Sequence, residues 1–264
     1  MANISIAEIV DVQKLNLFVL LVLFSGLVLL MIRLAEKGRQ MFVRPLAGLK
    51  ALEDAVGRAT EMGRAVLYVP GIDDVKNIQT IYSMVILEHV AKIVADYGTP
   101  LIVPIGKAFV VPMAEETVRQ GYLNAGRPQD FRSDNVRYLS DEQFAFTGAV
   151  NGIIMRERPA ANVFLGSFYA EALILAETGF MAGSIQVAGT ANIHQLPFFV
   201  VACDYTLIGE EFYAATAYLA QDPKLLGTIK GIDVFKGLIL AVLVIGFVVE
   251  TLGFTGFSRL IAGE

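Results

Sequence analysis

One cysteine, Cys203, in a chain of 264 residues leaves no partner for an intrachain disulfide and no basis for a thiolate metal cluster. Two histidines, His89 and His194, are too few for a histidine-rich metal centre. The net charge is −5 and no basic stretch stands out, which argues against nucleic acid as the main partner. Phosphate-binding signatures are missing as well. A P-loop needs GxxxxGK[ST], but Gly106-Lys107 lacks both the preceding glycine and the following hydroxyl, and no GxGxxG occurs. Nor is there a GxSxG elbow, since Gly166-Ser167-Phe168 lacks the second small residue. These gaps disfavour an ATPase, a nicotinamide enzyme and a serine hydrolase, and no cofactor or metal is expected. Charge is scarce too: 18% of residues are charged and 55% hydrophobic, against about 25% and 45–50% in soluble domains.

That imbalance points to a bilayer, and two segments carry it. Leu15 to Ile32 has no charge and is long enough to cross as a helix. A cleaved signal peptide would carry its basic residues in front. Here Arg33, Lys37, Arg39, Arg44 and Lys50 follow instead. The second segment, about Val234 to Phe254, is apolar on every face around GLILAVLVIGFVV. Its one ionisable group, Glu250, sits where it reaches headgroups, or else meets Asn16 or Lys14 of the first span. Lys224, Lys230 and Lys236 precede it, while the outer flanks offer only Lys14 and Arg259. Positive charge stays inside, so the expected layout is an outer N-terminus (1–14), a span (15–34), a cytoplasmic domain (35–233), a span (234–254) and an outer tail (255–264). About 190 residues then remain for one α/β domain.

Between the spans, helical and β-rich runs alternate. Pro45 suits a first helical position, and Leu46, Leu49, Leu52, Ala55 and Val56 recur at helical spacing. Strands are expected at 65–69, 101–103, 135–139, 161–165, 184–187 and 198–203. The intervening helices are expected at about 75–97, 113–124, 140–156 and 169–178, with a last one at 210–219. Ser140 serves as N-cap of the helix it opens, with Gln143 completing a capping box. This alternation implies a mostly parallel, Rossmann-like sheet with helices on both faces. The helices 144–155 and 169–182 carry hardly any charged face. In a domain this small they are expected to meet other copies of the chain, through Gly148, Ala149, Gly152 and Ala172. Gly26 and Gly246 offer similarly close approach within the bilayer.

Ligands of open α/β sheets bind outside the carboxyl ends of the strands. Gly166 and Ser167 follow the fourth expected strand, Gly189, Thr190, Asn192 and His194 the fifth, and Asp204 the sixth. They are the candidate ligand-binding residues, with Asp204 or His194 as an acid/base group. The alternative is turn and cap chemistry. Asp73-Asp74 reads as a solvated helix start rather than a cation site, and His89 as a structural residue.

Three stretches carry a resemblance: Phe42–Leu49 continuing through Glu53–Arg64, Ala161–Phe168, and Asp204–Glu211. They resemble an uncharacterised bacterial membrane family, a domain of unknown function flanked by two transmembrane helices. The resemblance implies that architecture and no activity. The expected function is a membrane-anchored scaffold that self-assembles into a homo-oligomer, with the bilayer and its own copies as partners. The alternative is a membrane-tethered small-molecule-binding or enzymatic domain.

Overall fold

The computed structural model describes residues 15–39 and 47–252. The two expected outer termini, the helix start at Arg44-Pro45, and Lys14, Phe254 and Arg259 lie outside the described residues. The chain divides into two units, Arg44–Ala220 and a second made of Met1–Val43 with Gln221–Glu264.

Its six strands are β1 (Val66–Gly71), β2 (Leu101–Ile105), β3 (Val136–Tyr138), β4 (Ala161–Ser167), β5 (Ile185–Thr190) and β6 (Tyr205–Ile208). They form one wholly parallel sheet in the order β3-β2-β1-β4-β5-β6. Every residue of β1, β2 and β4 is buried, as apolar strands covered on both faces must be. Numbering from the first described helix, α1 (Leu15–Glu36), the unit holds α2 (Ala47–Glu61), α3 (Ile78–Tyr97), α4 (Val111–Asn124) and α5 (Gln143–Glu157). Beyond them come α6 (Glu171–Met181), α7 (Leu196–Ala202) and α8 (Glu210–Ala220). Helices α2, α3, α4 and α8 pack one face of the sheet through Leu52, Leu87, Val118 and Phe212. Helices α5, α6 and α7 pack the other through Phe146, Leu175 and Phe199, with Phe164, Phe168 and Phe199 in mutual ring contact.

Two element assignments change. Phe198–Cys203 is not a strand: Leu196–Ala202 is helical and the sixth strand is Tyr205–Ile208. A short apolar run does not tell helix from strand, and Pro197 in the first turn was the signal for a helix. Ser140 is not the N-cap of α5 either. Glu142 takes that position and accepts from Ala145 N at 2.6 Å, while the Ser140 hydroxyl accepts from Glu142 N at 3.1 Å.

At the centre, β1 and β4 leave the regular ladder. Pro70 has no N–H to give, and the register shifts between Val69 and Gly71. The strands then press together so tightly that a Cβ on Gly166 would overlap the Pro70 carbonyl, and one on Gly71 the Ser167 backbone. Both glycines hold positive φ, +90° at Gly71 and +146° at Gly166. Just behind, the wholly buried Tyr68 hydroxyl donates to Ser83 O at 2.6 Å and Ser83 Oγ donates to Leu165 O at 2.5 Å. This relay ties α3 to both central strands. Burial pushes the Tyr68 phenol well above the usual range, and Ser83 only partly offsets it.

The other unit contains α1 and α9 (Pro223–Thr251). Asp222 caps α9, accepting from Lys224 N at 2.7 Å and Leu225 N at 3.2 Å. The two helices run antiparallel, with Gly227 against Ile32, Gly231 against Val28, and the Phe24 and Phe235 rings tilted against each other at 4.8 Å between centroids. A Cβ on Gly227 would come within 2.6 Å of Ile32 Cα. Spaced four apart, Gly227 and Gly231 share one face and let the backbones approach. Gly26 has open space around it and plays no part in this contact, while Gly246 is buried within the unit.

Among the described residues three helical stretches, not two, are long and apolar enough to cross a membrane: Leu17–Glu36, Ile78–Tyr97 and Pro223–Thr251. The middle one is α3, with 56% of its apolar window buried. It is apolar because the sheet and neighbouring helices cover it, which makes it a core helix.

The crowded glycine pair gives a paired prediction. Gly166→Ala should destabilise the protein by about 2–4 kcal/mol through backbone overlap and an unfavourable φ. Gly57→Ala, on an open helix face with nothing within 4 Å, should stabilise it by about 0.5–1 kcal/mol. Thermal unfolding of both variants in detergent checks the opposite signs.

Candidate functional site

Connectivity reverses between β1 and β4, so the loops leaving their carboxyl ends diverge and open a crevice. A cavity of about 350 Å³ lies there, lined by Ile72, Asp73, Gly106, Lys107, Ser140, Asp141, Gln143, Phe146 and Tyr169. Each of the first four strands contributes the residues that follow it. Asp73 Oδ2 accepts from Asn77 Nδ2 at 2.6 Å and from the Tyr169 hydroxyl at 2.9 Å. Lys107 Nζ donates to Asp141 O at 2.9 Å, and Asp141 Oδ1 accepts from Ala108 N at 3.2 Å.

Beneath the cavity, Glu171 is wholly buried. Its two oxygens accept from Tyr169 N at 2.9 Å and Gln143 Nε2 at 2.5 Å. As the first residue of α6 it also meets the positive end of that helix. The Ser167 hydroxyl draws the Tyr169 phenol down, but the bond to Asp73, burial and the charges of Asp73 and Glu171 outweigh it. The phenol is held above the usual tyrosine range.

Ser167, Thr190 and Asn192 come together beside this cavity, around a residue the sequence did not single out. Gln79 Oε1 accepts from Ala191 N at 2.8 Å and from the Thr190 hydroxyl at 3.3 Å, while its Nε2 donates to Asn192 Oδ1 at 3.2 Å. Asn192 Nδ2 donates to Phe168 O at 2.6 Å and Ser167 Oγ at 3.3 Å. These side chains spend their hydrogen bonds on one another, fastening the loops after β4 and β5 to the start of α3. Gly166 serves the close approach to Pro70, and Gly189 accommodates Leu165 and Leu207. His194 is exposed on the loop before α7.

Asp204 is not with them. Because Tyr205–Ile208 is the sixth strand, Asp204 precedes it and lies at the amino edge, where it accepts from Gln186 N at 2.8 Å. Burial, then the Asp204 charge, pushes the neighbouring Cys203 thiol up to about 12. Of the expected interface residues, Gly148 is exposed, Ala149 and Gly152 are half-buried, and Ala172 is not on the surface at all. It is packed in the core beneath α6.

The cavity residues were within reach of the sequence, since Asp73, Lys107, Ser140 and Tyr169 each stand just past a strand. Lys107 entered only as a failed P-loop and Asp73 only as a helix start. Gln79 gave no signal, because nothing in a helical pattern marks one buried amide.

A family model described as Domain of unknown function (DUF6754) matches residues 5–261. The chain belongs to that family, whose description assigns no activity. No curated protein and no solved structure matches it.

The amide knot and the exposed histidine should respond differently to truncation. Asn192→Ala leaves buried partners unsatisfied and should cost about 1–3 kcal/mol. His194→Ala should change stability by less than about 0.5 kcal/mol. A thiol-reactive dye that reaches Cys203 on unfolding reports both.

Proposed function

We propose that the chain is a bilayer-anchored scaffold that assembles with copies of itself through the outer side of α5, α6 and α7. The observation that carries this reading is the exposed apolar surface of those three neighbouring helices. Phe144 and Met155 project from α5, Leu173, Ile174, Phe180 and Met181 from α6, and Val200 and Val201 from α7. Val201 is 86% exposed, Phe180 74% and Met181 71%. Contiguous apolar surface of this kind marks an interaction site, and fully burying one such side chain contributes about 1.5–3 kcal/mol. Exposed Gly148 lets a partner helix come close.

The anchoring half of the reading rests on α1 and α9, whose apolar stretches are almost wholly unburied within the protein. Two such anchors hold each copy in a plane and raise its effective concentration. Lys37, Arg39, Lys50, Lys224, Lys230 and Lys236 all lie on the sides of these helices nearest the α/β unit in sequence. That asymmetry favours a cytoplasmic α/β unit with both termini outside.

Size measurement in mild detergent tests the assembly. The parent should run as a defined oligomer at micromolar concentration, and Ile174→Glu should give monomers that keep their unfolding temperature. A Gly152→Glu change is a poorer probe, because Arg156 Nη1 lies within reach of that position and would pair with the new carboxylate. A monomeric parent overturns the scaffold; an oligomer that survives Ile174→Glu and Gly148→Glu together rules out this face.

Orientation is tested separately, with Cys203→Ala as the background and a single cysteine introduced by Gln129→Cys. An impermeant thiol reagent should leave that site unlabelled in intact cells and label it after lysis. Labelling before lysis would reverse the topology.

A further inference from the structure

The geometry points to a binding site for a small zwitterion in the cavity between β1 and β4, an anionic oxygen on Lys107 and an ammonium group on Asp73. Hydrogen-bonding capacity is left over at this cavity after the fold has used what it needs. An ammonium has three donors. Lys107 places one on Asp141 O and forms no ion pair among the described residues. Asp73 receives both its donors, Asn77 and Tyr169, on Oδ2, which leaves Oδ1 open. Gln143 commits Nε2 to Glu171 and keeps its carbonyl oxygen available. A half-buried positive and a half-buried negative group thus face one cavity without satisfying each other. Each keeps hydrogen-bonding capacity that a ligand can take up. A single ligand carrying both charges answers both.

Other ligand classes fit less well. In dinucleotide-binding sheets of this strand order, glycines and free backbone amides between the first strand and its helix receive the pyrophosphate. Here Asp73 and Asp74 occupy that loop, and the Asn77 side chain already takes the Gln79 amide of α3 at 2.9 Å. Phosphate would meet carboxylates there. A dianion would face Asp73 and Asp141 against Lys107 among the lining residues. A divalent cation lacks its ligands, since no group of three or more His, Cys, Asp or Glu is found among the described residues. About 350 Å³, with Ile72 and Phe146 as apolar walls, suits a small metabolite. This site stands apart from the assembly reading, because its residues all come from one chain and none lies on the outer helix face.

The test uses the full chain in mild detergent, with unfolding followed by the dye on Cys203. The probes are the proteinogenic amino acids other than cysteine, with β-alanine and γ-aminobutyrate, against inositol, ATP and NAD. At least one zwitterion should raise the unfolding temperature by roughly 5–10 °C at a hundredfold excess over its Kd. The methyl ester of that ligand, which loses the negative charge, should lose the shift. Lys107→Gln and Asp73→Asn should each abolish it, and His194→Ala should keep it. Failure of every zwitterion, a shift that survives esterification, or stabilisation by a nucleotide instead would overturn the assignment. Should a variant not fold, the esterified ligand alone decides.

Discussion

The approach of β1 to β4 governs how the α/β unit is built and where it opens. A proline in a central strand removes a donor that the ladder needs, so the register slips after Val69. The slip brings the Pro70 carbonyl onto Gly166 and the Ser167 backbone onto Gly71. No side chain fits at either position, and the two strands close as one. Ile72 N then donates to Ser167 O at 3.0 Å, carrying the pairing one step beyond the strands before their loops part. The crevice that holds the cavity begins where that last bond ends.

Much of this was legible in the sequence, and the reasons for the misses are specific. Alternating β-rich and helical runs give a parallel doubly wound sheet, because parallel strands need crossovers and the crossovers here are helices. Strand order is another matter: nothing in the local pattern of Phe164 or Val187 tells which strand lies beside β1. The strand expected at Phe198–Cys203 fails because its β-branched and aromatic residues follow Pro197, which opens a helix. That expectation moves Asp204 from the amino edge to the carboxyl edge. The grouping of Ser167, Thr190 and Asn192 survived that error, since each follows a strand whose neighbour was β-rich on any reading. Whether grouped residues form an open pocket or a closed knot depends on a buried amide from another element, and Gln79 closes it.

Apolarity carries different meanings in different helices of this chain. In α3 it is absorbed by the sheet on one side and by neighbouring helices on the other, so a segment apolar enough for a membrane serves as core. In α6, Ala172, Leu175 and Ala176 are buried, while Leu173, Ile174, Phe180 and Met181 remain outside. Hydropathy alone does not separate these cases. Coverage does. The same distinction holds for α1 and α9, where Gly227 and Gly231 bring two backbones together and leave the remaining faces bare. Exposed apolar surface therefore occurs in both units: around the α1–α9 pair in one, and on α5, α6 and α7 in the other.

The carboxyl edge shows the complementary distribution of polar groups. Over β4 and β5, amides and hydroxyls satisfy one another and the edge is sealed. Over β1, β2 and β3, charged groups are held by neighbours that use only part of their capacity. Asp73 is gripped through one oxygen by residues from two elements, which fixes the direction of the other. Lys107 is steadied by a neutral carbonyl rather than a carboxylate, so its charge is positioned without being cancelled. A knot that closes one half of the edge also immobilises the Ser167–Tyr169 turn, and Tyr169 is the residue that holds Asp73 from across the crevice. The sealed half thus keeps the open half in shape, and the two halves of the edge have to be understood as one arrangement.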